Sequence, residues 1–298
     1  MKKNGKITSV AVFGIILLAV VLVLGTLWTG GRTKMDTESA VSSVSLLYLD
    51  ELAGRREQVV SSTLERNISG IRAAVSLLTK EDLSGAANLA SYQARMKKLF
   101  GLEKFAFIDT EGVVYTSVGV SRDAESYNID YENLSQPLIT VKDVHSRQKK
   151  VITAIPVELM LGEKKLCVCF TETSMENLLS GISLQSNNNE TTFCNIYTRD
   201  GVALTDMVLG GLAAEDNLLS ALKTARYEKG ASYEKVEEDF RNGVNGVVSF
   251  TYNGIRESLS YVPIKGTDWV LTYLIRENVI NEKISTVTDG RINRSFMQ

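Results

Sequence analysis

The chain has 298 residues, with 33 basic side chains against 35 acidic ones and a formal net charge of −2. So close a balance, with no basic stripe, argues against a protein that neutralises nucleic-acid phosphates, and three cysteines are too few for a disulfide framework. A 44% share of hydrophobic residues is enough to bury the core of one large or two modest domains.

Residues Ile7 to Gly31 carry no charge and follow Lys2, Lys3 and Lys6. A helix rises about 1.5 Å per residue, so this run is long enough to cross a hydrocarbon core of about 30 Å. Residues 7–29 are therefore expected to form a transmembrane helix, with 1–6 cytoplasmic by the excess of lysine and the rest of the chain extracytoplasmic. A cleaved signal peptide is the competing reading. Against it stand the length of the run and the string Leu27-Trp28-Thr29-Gly30-Gly31, which is not a small-x-small cleavage site.

From Thr33 to Leu78 there is no proline, and Leu64, Ile68, Ile71, Val75 and Leu78 recur at spacings of four and three. This predicts a long amphipathic helix within a stalk at 30–83, packed on its own domain or on a second copy. A second helix is expected after Asp82-Leu83-Ser84, with Ser84 as cap and Gly101 as terminator. At Phe105 the pattern changes to FAFIDTEGVVYTS, two short strands joined at Asp109-Thr110-Glu111-Gly112. A polar loop from about Gly119 to Pro137 leads to strands near 151–156 and 165–171 that turn at Gly162, completing a mixed unit at 84–172.

A short helix over 172–182 and the polar run 186–190 form a connection at 173–189. The unit at 190–276 then repeats the strand, turn and strand order with strands at 193–198 and 202–205 around Arg199-Asp200-Gly201. Helices are expected at 214–227 and 233–242, and strands at 246–252, 255–263 and 269–275. Asn253-Gly254 between two alternating strands is a strong hairpin signal, because both residues accept positive φ. Residues 277–298 read as a helix with Ile280, Ile284 and Val287 on one face. Cys167 and Cys169, two apart in one strand, are expected to share a face as buried hydrophobes, a bridge to Cys194 being the alternative.

Nothing in the chain has the pattern of a catalytic site. The one histidine, His145, lies in a polar loop, and no H-E-x-x-H, G-x-S-x-G, Walker or G-x-G-x-x-G string occurs. Asp109 and Glu111, and the run Glu237, Glu238 and Asp239, are read as solvated charges rather than metal ligands. Asn67, Asn133, Asn189 and Asn293 match the N-x-Ser/Thr acceptor pattern.

The order of anchor, long helix, FAFIDTEGVVYTS hairpin, Pro137-Leu138-Ile139-Thr140, Ile155-Pro156-Val157 and the closing YVPIKGTDWVLTYLI resembles the double Cache family of bacterial receptor sensor modules over about residues 33–290. The resemblance implies an α+β fold: a transmembrane helix, a long helix, then two PAS-like antiparallel-sheet units in tandem. The unit at 84–172 would be membrane-distal and the unit at 190–276 membrane-proximal. Trp269 would fill the proximal core, and 277–298 would lead toward a second membrane span. It also implies a small polar ligand, such as a carboxylate, in the distal pocket, with no cofactor and no catalysis. The family's amino-acid-binding branch uses a loop of tyrosine, arginine and tryptophan with an aspartate beyond it. Here Arg122, Tyr127, Tyr131 and Asp143 occupy that region and the tryptophan is missing.

A pocket for such a ligand needs a few aimed polar groups in an apolar cup. The candidates are Tyr115, Ser117, Arg122, Tyr127, Tyr131, Asp143, Thr153 and Thr171. Tyr115 and Ser117 are expected to alternate along one strand, with Thr153 and Thr171 on flanking strands, and Arg122 can clamp a carboxylate with two hydrogen bonds. The whole is expected to act as a homodimeric sensor in the membrane, feeding a histidine kinase, a diguanylate cyclase or a chemotaxis transducer by helix displacement. The alternative is a single-anchored extracytoplasmic binding or interaction protein with no output domain. An exported hydrolase lacks a nucleophile and base pair.

Overall fold

A computed structural model describes residues 46–47, 49–180, 182, 192–205 and 216–276. The expected span at 7–29, the polar run 186–190 and the expected helix at 277–298 lie outside the described residues. Among the described residues no helix is long and apolar enough to cross a membrane. Contacts separate a unit ending at Tyr48 from one covering Leu49–Gln298, and the description concerns the second.

Helix α1, residues 49–76, is proline-free and turns one face inward. Leu49, Ala53, Val60, Leu64, Ile71 and Ala74 are buried at spacings of three, four and seven, the signature of a helix seam. Its two halves serve different cores. Leu49, Ala53, Val60 and Leu64 pack with the second sheet, Ile71 and Ala74 pack with the first, and Ile68 touches both. Helix α2, Ala86–Phe100, ends at Gly101 in the left-handed conformation (φ 64°), whose N–H donates to the carbonyl of Lys97. Its N-cap is Gly85, which offers no side-chain bond, rather than Ser84. The Tyr92 hydroxyl instead ties α2 to the Ala74 carbonyl at the end of α1.

The first sheet contains β1 (Lys104–Asp109), β2 (Val114–Thr116), β3 (Gly119–Ser121), β4 (Leu138–Val141), β5 (Lys150–Leu161) and β6 (Lys164–Ser174). It is antiparallel in the order β3-β2-β1-β6-β5-β4. One face packs on α1 and α2 through Phe105, Phe107, Tyr115, Ile155 and Cys169. The other is covered by the loop between β3 and β4, with Ala106, Ile108, Val114, Ile152, Ala154 and Phe170 beneath Ala124, Tyr127 and Ile129. The register shifts between Ile108 and Asp109, so Cys167 and Cys169 do not share a face: Cys169 joins the helix-side core, whereas Cys167 packs against the loop-side core. All three cysteines are free thiols.

After β6 the chain makes only the short helix α3, Met175–Leu179, because residues 172–174 stay in the strand. The Ser174 hydroxyl accepts from the Asn177 N–H and starts that helix. The second sheet follows with β7 (Thr192–Thr198), β8 (Arg226–Tyr227), β9 (Gly246–Tyr252), β10 (Ile255–Pro263) and β11 (Trp269–Arg276), in the order β7-β11-β10-β9-β8. Residues 202–205, expected as a strand, form only isolated bridges to Tyr197 and Asn217. The expected helix at 214–227 is, among its described residues, the single turn α4, Leu218–Leu222, and Arg226–Tyr227 pairs with β9 as a strand. Helix α5, Tyr233–Asn242, has a Ser232 cap and a left-handed Gly243. Asn253 (φ 49°) and Gly254 (φ 78°) close the β9–β10 hairpin with the positive angles that Asn-Gly supplies. The molecule is thus α+β, two antiparallel sheets served by one long N-terminal helix.

Candidate functional site

The structure distributes the eight candidate side chains over two faces and the surface. Tyr115, Thr153 and Thr171 lie on the helix side of the first sheet. Thr153 and Thr171 face one another across β5 and β6, and with Arg66, Asn67 and Gly70 of α1 they line a cavity of about 220 Å³. Tyr127 and Tyr131 belong to the opposite, loop-covered side. Ser117 is in the turn after β2 rather than on it, so it does not continue the alternation of Tyr115. Arg122 and Asp143 are exposed, and Asp143 accepts from the His145 N–H at 3.0 Å.

On the loop side Tyr127 is the centre of a cluster. It ends a 3₁₀ turn, Ala124–Tyr127, after which Asn128 turns left-handed (φ 55°). The Asn128 amide donates to the carbonyls of Val141 and Lys142, both at 3.1 Å, pinning the loop to β4. The fully buried Tyr127 ring packs on Phe170 with centroids 4.6 Å apart. The ammonium of Lys142 stands 4.3 Å from its centre and that of Lys104 stands 4.7 Å away, both within cation–π range.

Lys104 also donates to the Tyr127 hydroxyl at 2.5 Å and stands 3.6 Å from Glu172 Oε2. Burial disfavours its charge, but the Tyr127 hydrogen bond and Glu172 outweigh burial and hold its pKa above the usual lysine value. Glu172 Oε2 is buried and, among the described residues, accepts no hydrogen bond. The arrangement therefore offers two cations, one carboxylate oxygen with spare accepting capacity, and an aromatic ring between them.

Tyr131, further along the loop, lies against the β1–β2 turn, where a side chain on Gly112 (φ 73°) would stand 2.7 Å from the Tyr131 hydroxyl. With Thr110, Leu134, Pro156, Lys165 and Cys167, Tyr131 borders an open cavity of about 650 Å³, within the usual size of a small-molecule site. Lys104, Lys142 and Glu172 are not among the candidates the sequence offers. The available signal was parity: Lys104 alternates inward with Ala106 and Ile108, and Glu172 with Phe170 and Val168, so charged residues stand at core positions of β1 and β6.

On the helix side the Tyr115 hydroxyl donates to Asp109 Oδ2 at 3.0 Å. Burial first, then that hydrogen bond and the Asp109 charge, push the Tyr115 pKa up to about 12, and burial does the same to Tyr92. Both folded-state values exceed the value of about 10 in an unfolded chain. Their contribution to stability is complete below pH 10 and is lost as pH rises from 10 toward 12. The thermal midpoint is expected to fall across that window, and to fall less in Tyr115→Phe. Circular dichroism melts at half-unit pH steps test this, and equal slopes in the two proteins would refute the assignment to Tyr115.

No protein-family model and no curated protein matches the chain. Solved structures do. The ligand-binding domain of the Pseudomonas fluorescens chemoreceptor CtaA, in complex with L-isoleucine, superposes with a TM-score of 0.58 at 14% identity, covering 83% of this chain and 98% of that one. The extracellular domain of mmHK1S-Z3, a protein named as a histidine kinase, gives 0.56 at 13%, over 83% and 97% of the two chains. The shared fold is the double Cache fold. The ligand-binding domain of the Pseudomonas aeruginosa PAO1 amino acid chemoreceptor PctC, in complex with GABA, has it too, at a TM-score of 0.53 and 18% identity over 78% of this chain and 99% of that one. In the double Cache fold seen here, the first sheet with its covering loop and the second sheet with α4 and α5 are two modules along one α1, joined by the core in which Ile139, Val141 and Val151 meet the second sheet.

Proposed function

We propose that this chain is the extracytoplasmic, small-molecule-sensing input of a bacterial transmembrane receptor, anchored by residues 7–29 and acting as a homodimer. The observation that carries this reading is the double Cache fold, which the chain shares with extracellular sensor domains over nearly their whole length. The first module would be membrane-distal and would hold the ligand on its loop-covered face. Tyr127 and Tyr131 would supply aromatic walls, Lys142 and Lys104 would meet an anionic group, and Glu172 would accept from a donor. CtaA is crystallised with L-isoleucine and PctC with GABA. Small molecules bearing a carboxylate and an amine suit the charges around Tyr127 in the same way. Arg122, at the start of the loop, would join on closure. Tyr115, Thr153 and Thr171 lie behind the sheet and would pass a change in sheet position to α1 rather than touch the ligand. Ser117 and Asp143 would stay at the rim.

A ligand that favours one arrangement of sheet and helix shifts α1 by population, with no catalysis required. The output, a histidine kinase, a diguanylate cyclase or a chemotaxis transducer, would lie elsewhere in the receptor.

The test is calorimetric titration of the full chain in lipid nanodiscs with the proteinogenic amino acids, GABA and small mono- and dicarboxylates. At least one is expected to bind, and Lys142→Ala, which removes a half-buried loop-side charge, is expected to weaken it at least about tenfold. Binding unchanged in Lys142→Ala and Tyr131→Ala would remove the ligand from this face.

A further inference from the structure

A second cleft, away from the loop-covered face, lies where the first module hands the chain to the second. Its volume is about 570 Å³, ample for a small organic molecule. Its floor is apolar: Met175 and Leu179 of α3 meet Cys194 of β7 and Leu204, all buried members of the core that also holds α1. Its wall is cationic, formed by Arg147 and Lys149 from the β4–β5 connection and Lys150 at the start of β5.

These charges are not equally committed. The Lys150 ammonium is matched by Glu103 at 2.6 Å, and among the described residues the Lys149 ammonium donates only to the Ser146 carbonyl, at 3.2 Å. The exposed Arg147 guanidinium makes no side-chain bond among the described residues. Among the described residues Glu176 is the remaining acid on the lining. Among the described residues, two cations without an acidic partner, Arg147 and Lys149, therefore face one such acid, Glu176, an excess of one positive charge above an apolar floor.

We infer that this cleft is a second binding site, for a small monocarboxylate with an aliphatic tail, its head on Arg147 and Lys149 and its tail on Met175, Leu179 and Leu204. The inference goes beyond the sensing role proposed for the loop-covered face and does not rest on it. Charge complementarity selects a single anionic head, since a cationic or uncharged head would leave the excess positive charge unmatched. The floor selects a tail, since only apolar surface gains by covering it. Because β5, β6, α3 and β7 all border the cleft, an occupant contacts both modules at once. It would favour the arrangement in which both contacts are made, and so would be coupled to any ligand that shifts the first module.

Sodium hexanoate is the probe, titrated calorimetrically into the full chain in nanodiscs, with empty nanodiscs as the blank. Sodium acetate removes the tail and hexan-1-ol removes the charge. Hexanoate is expected to bind, acetate and hexan-1-ol to bind at least about tenfold more weakly, and the surface variant Arg147→Glu/Lys149→Glu to lose at least about tenfold. Tyr131→Ala, on the loop-covered face, is expected to leave hexanoate binding unchanged. The inference is overturned by heat no greater than the blank, by hexan-1-ol binding as well as hexanoate, by indifference to the charge reversal, or by loss in Tyr131→Ala.

Discussion

Asp109→Ala is expected to cost about 4 kcal/mol of unfolding free energy, although Asp109 sits in a turn and reads in the sequence as a solvated charge. Its side chain is 1% exposed. One carboxylate oxygen accepts from the Glu111 and Val113 N–H groups, both at 2.9 Å, and the other accepts from the Tyr115 hydroxyl at 3.0 Å. Alanine leaves three donors without that acceptor, two of them in buried positions. Each hydrogen bond to a charged group contributes about 1.5–3 kcal/mol, and each stranded donor costs about 1–3 kcal/mol. Asparagine keeps one accepting oxygen for the two N–H groups, so Asp109→Asn should lose less than about half as much. The same turn carries Gly112, which the Tyr131 ring approaches, so loosening it should also disturb the loop-covered face. Urea unfolding with an unchanged m-value decides the matter. A loss in Asp109→Ala below about 1 kcal/mol would show the turn to be held by its backbone bonds alone.

Asp109 also marks the limit of what was legible. Strands with strong alternation and specific turn chemistry were readable: FAFID as β1, Asn253-Gly254 as a hairpin, and Gly101 as a helix end all stand in the structure. Strands β3 and β4, of three and four residues at the sheet edges, were not, because such short runs carry too little periodicity. Residues 172–174 continue β6 because pairing with β5 and β1 outweighs a locally helical pattern.

The candidate site was half legible for a related reason. Alternation tells which residues of one strand share a face, and it placed Thr153 and Thr171 with Tyr115. It cannot tell which face a loop of some sixteen residues will fold across, and that loop went to the side opposite Tyr115. The bulge after Ile108 then reversed the parity of Cys167 against Cys169. Lys104 and Glu172 are not legible as site residues because a charge at the end of an apolar strand reads as a boundary, whereas here each faces inward and finds the other.

Helix α1 joins what the two sheets do, and Trp269→Ala should expose that role. Trp269 is 1% exposed and belongs to the core that unites the second sheet with Leu49, Ala53, Val60 and Leu64 of α1. Ile139 and Val141 of β4 share that core. Removing a buried tryptophan typically costs about 3–5 kcal/mol, depending on how far the site can collapse. The first module has its own cores on both faces and holds α1 separately through Ile71 and Ala74, so the loss should not spread evenly. Hydrogen exchange is expected to quicken in β7, β10, β11 and residues 49–64, while β1, β5 and β6 keep their protection. If protection instead falls uniformly through both sheets, the modules unfold as one unit and α1 is not a separable lever. If it falls as expected, the lower half of α1 is held to the second sheet largely by this one core. A shift of the first module could then reach the N-terminal end of α1 only while that core is intact, and in the receptor proposed above Trp269→Ala should leave ligand affinity unchanged yet abolish the change in output.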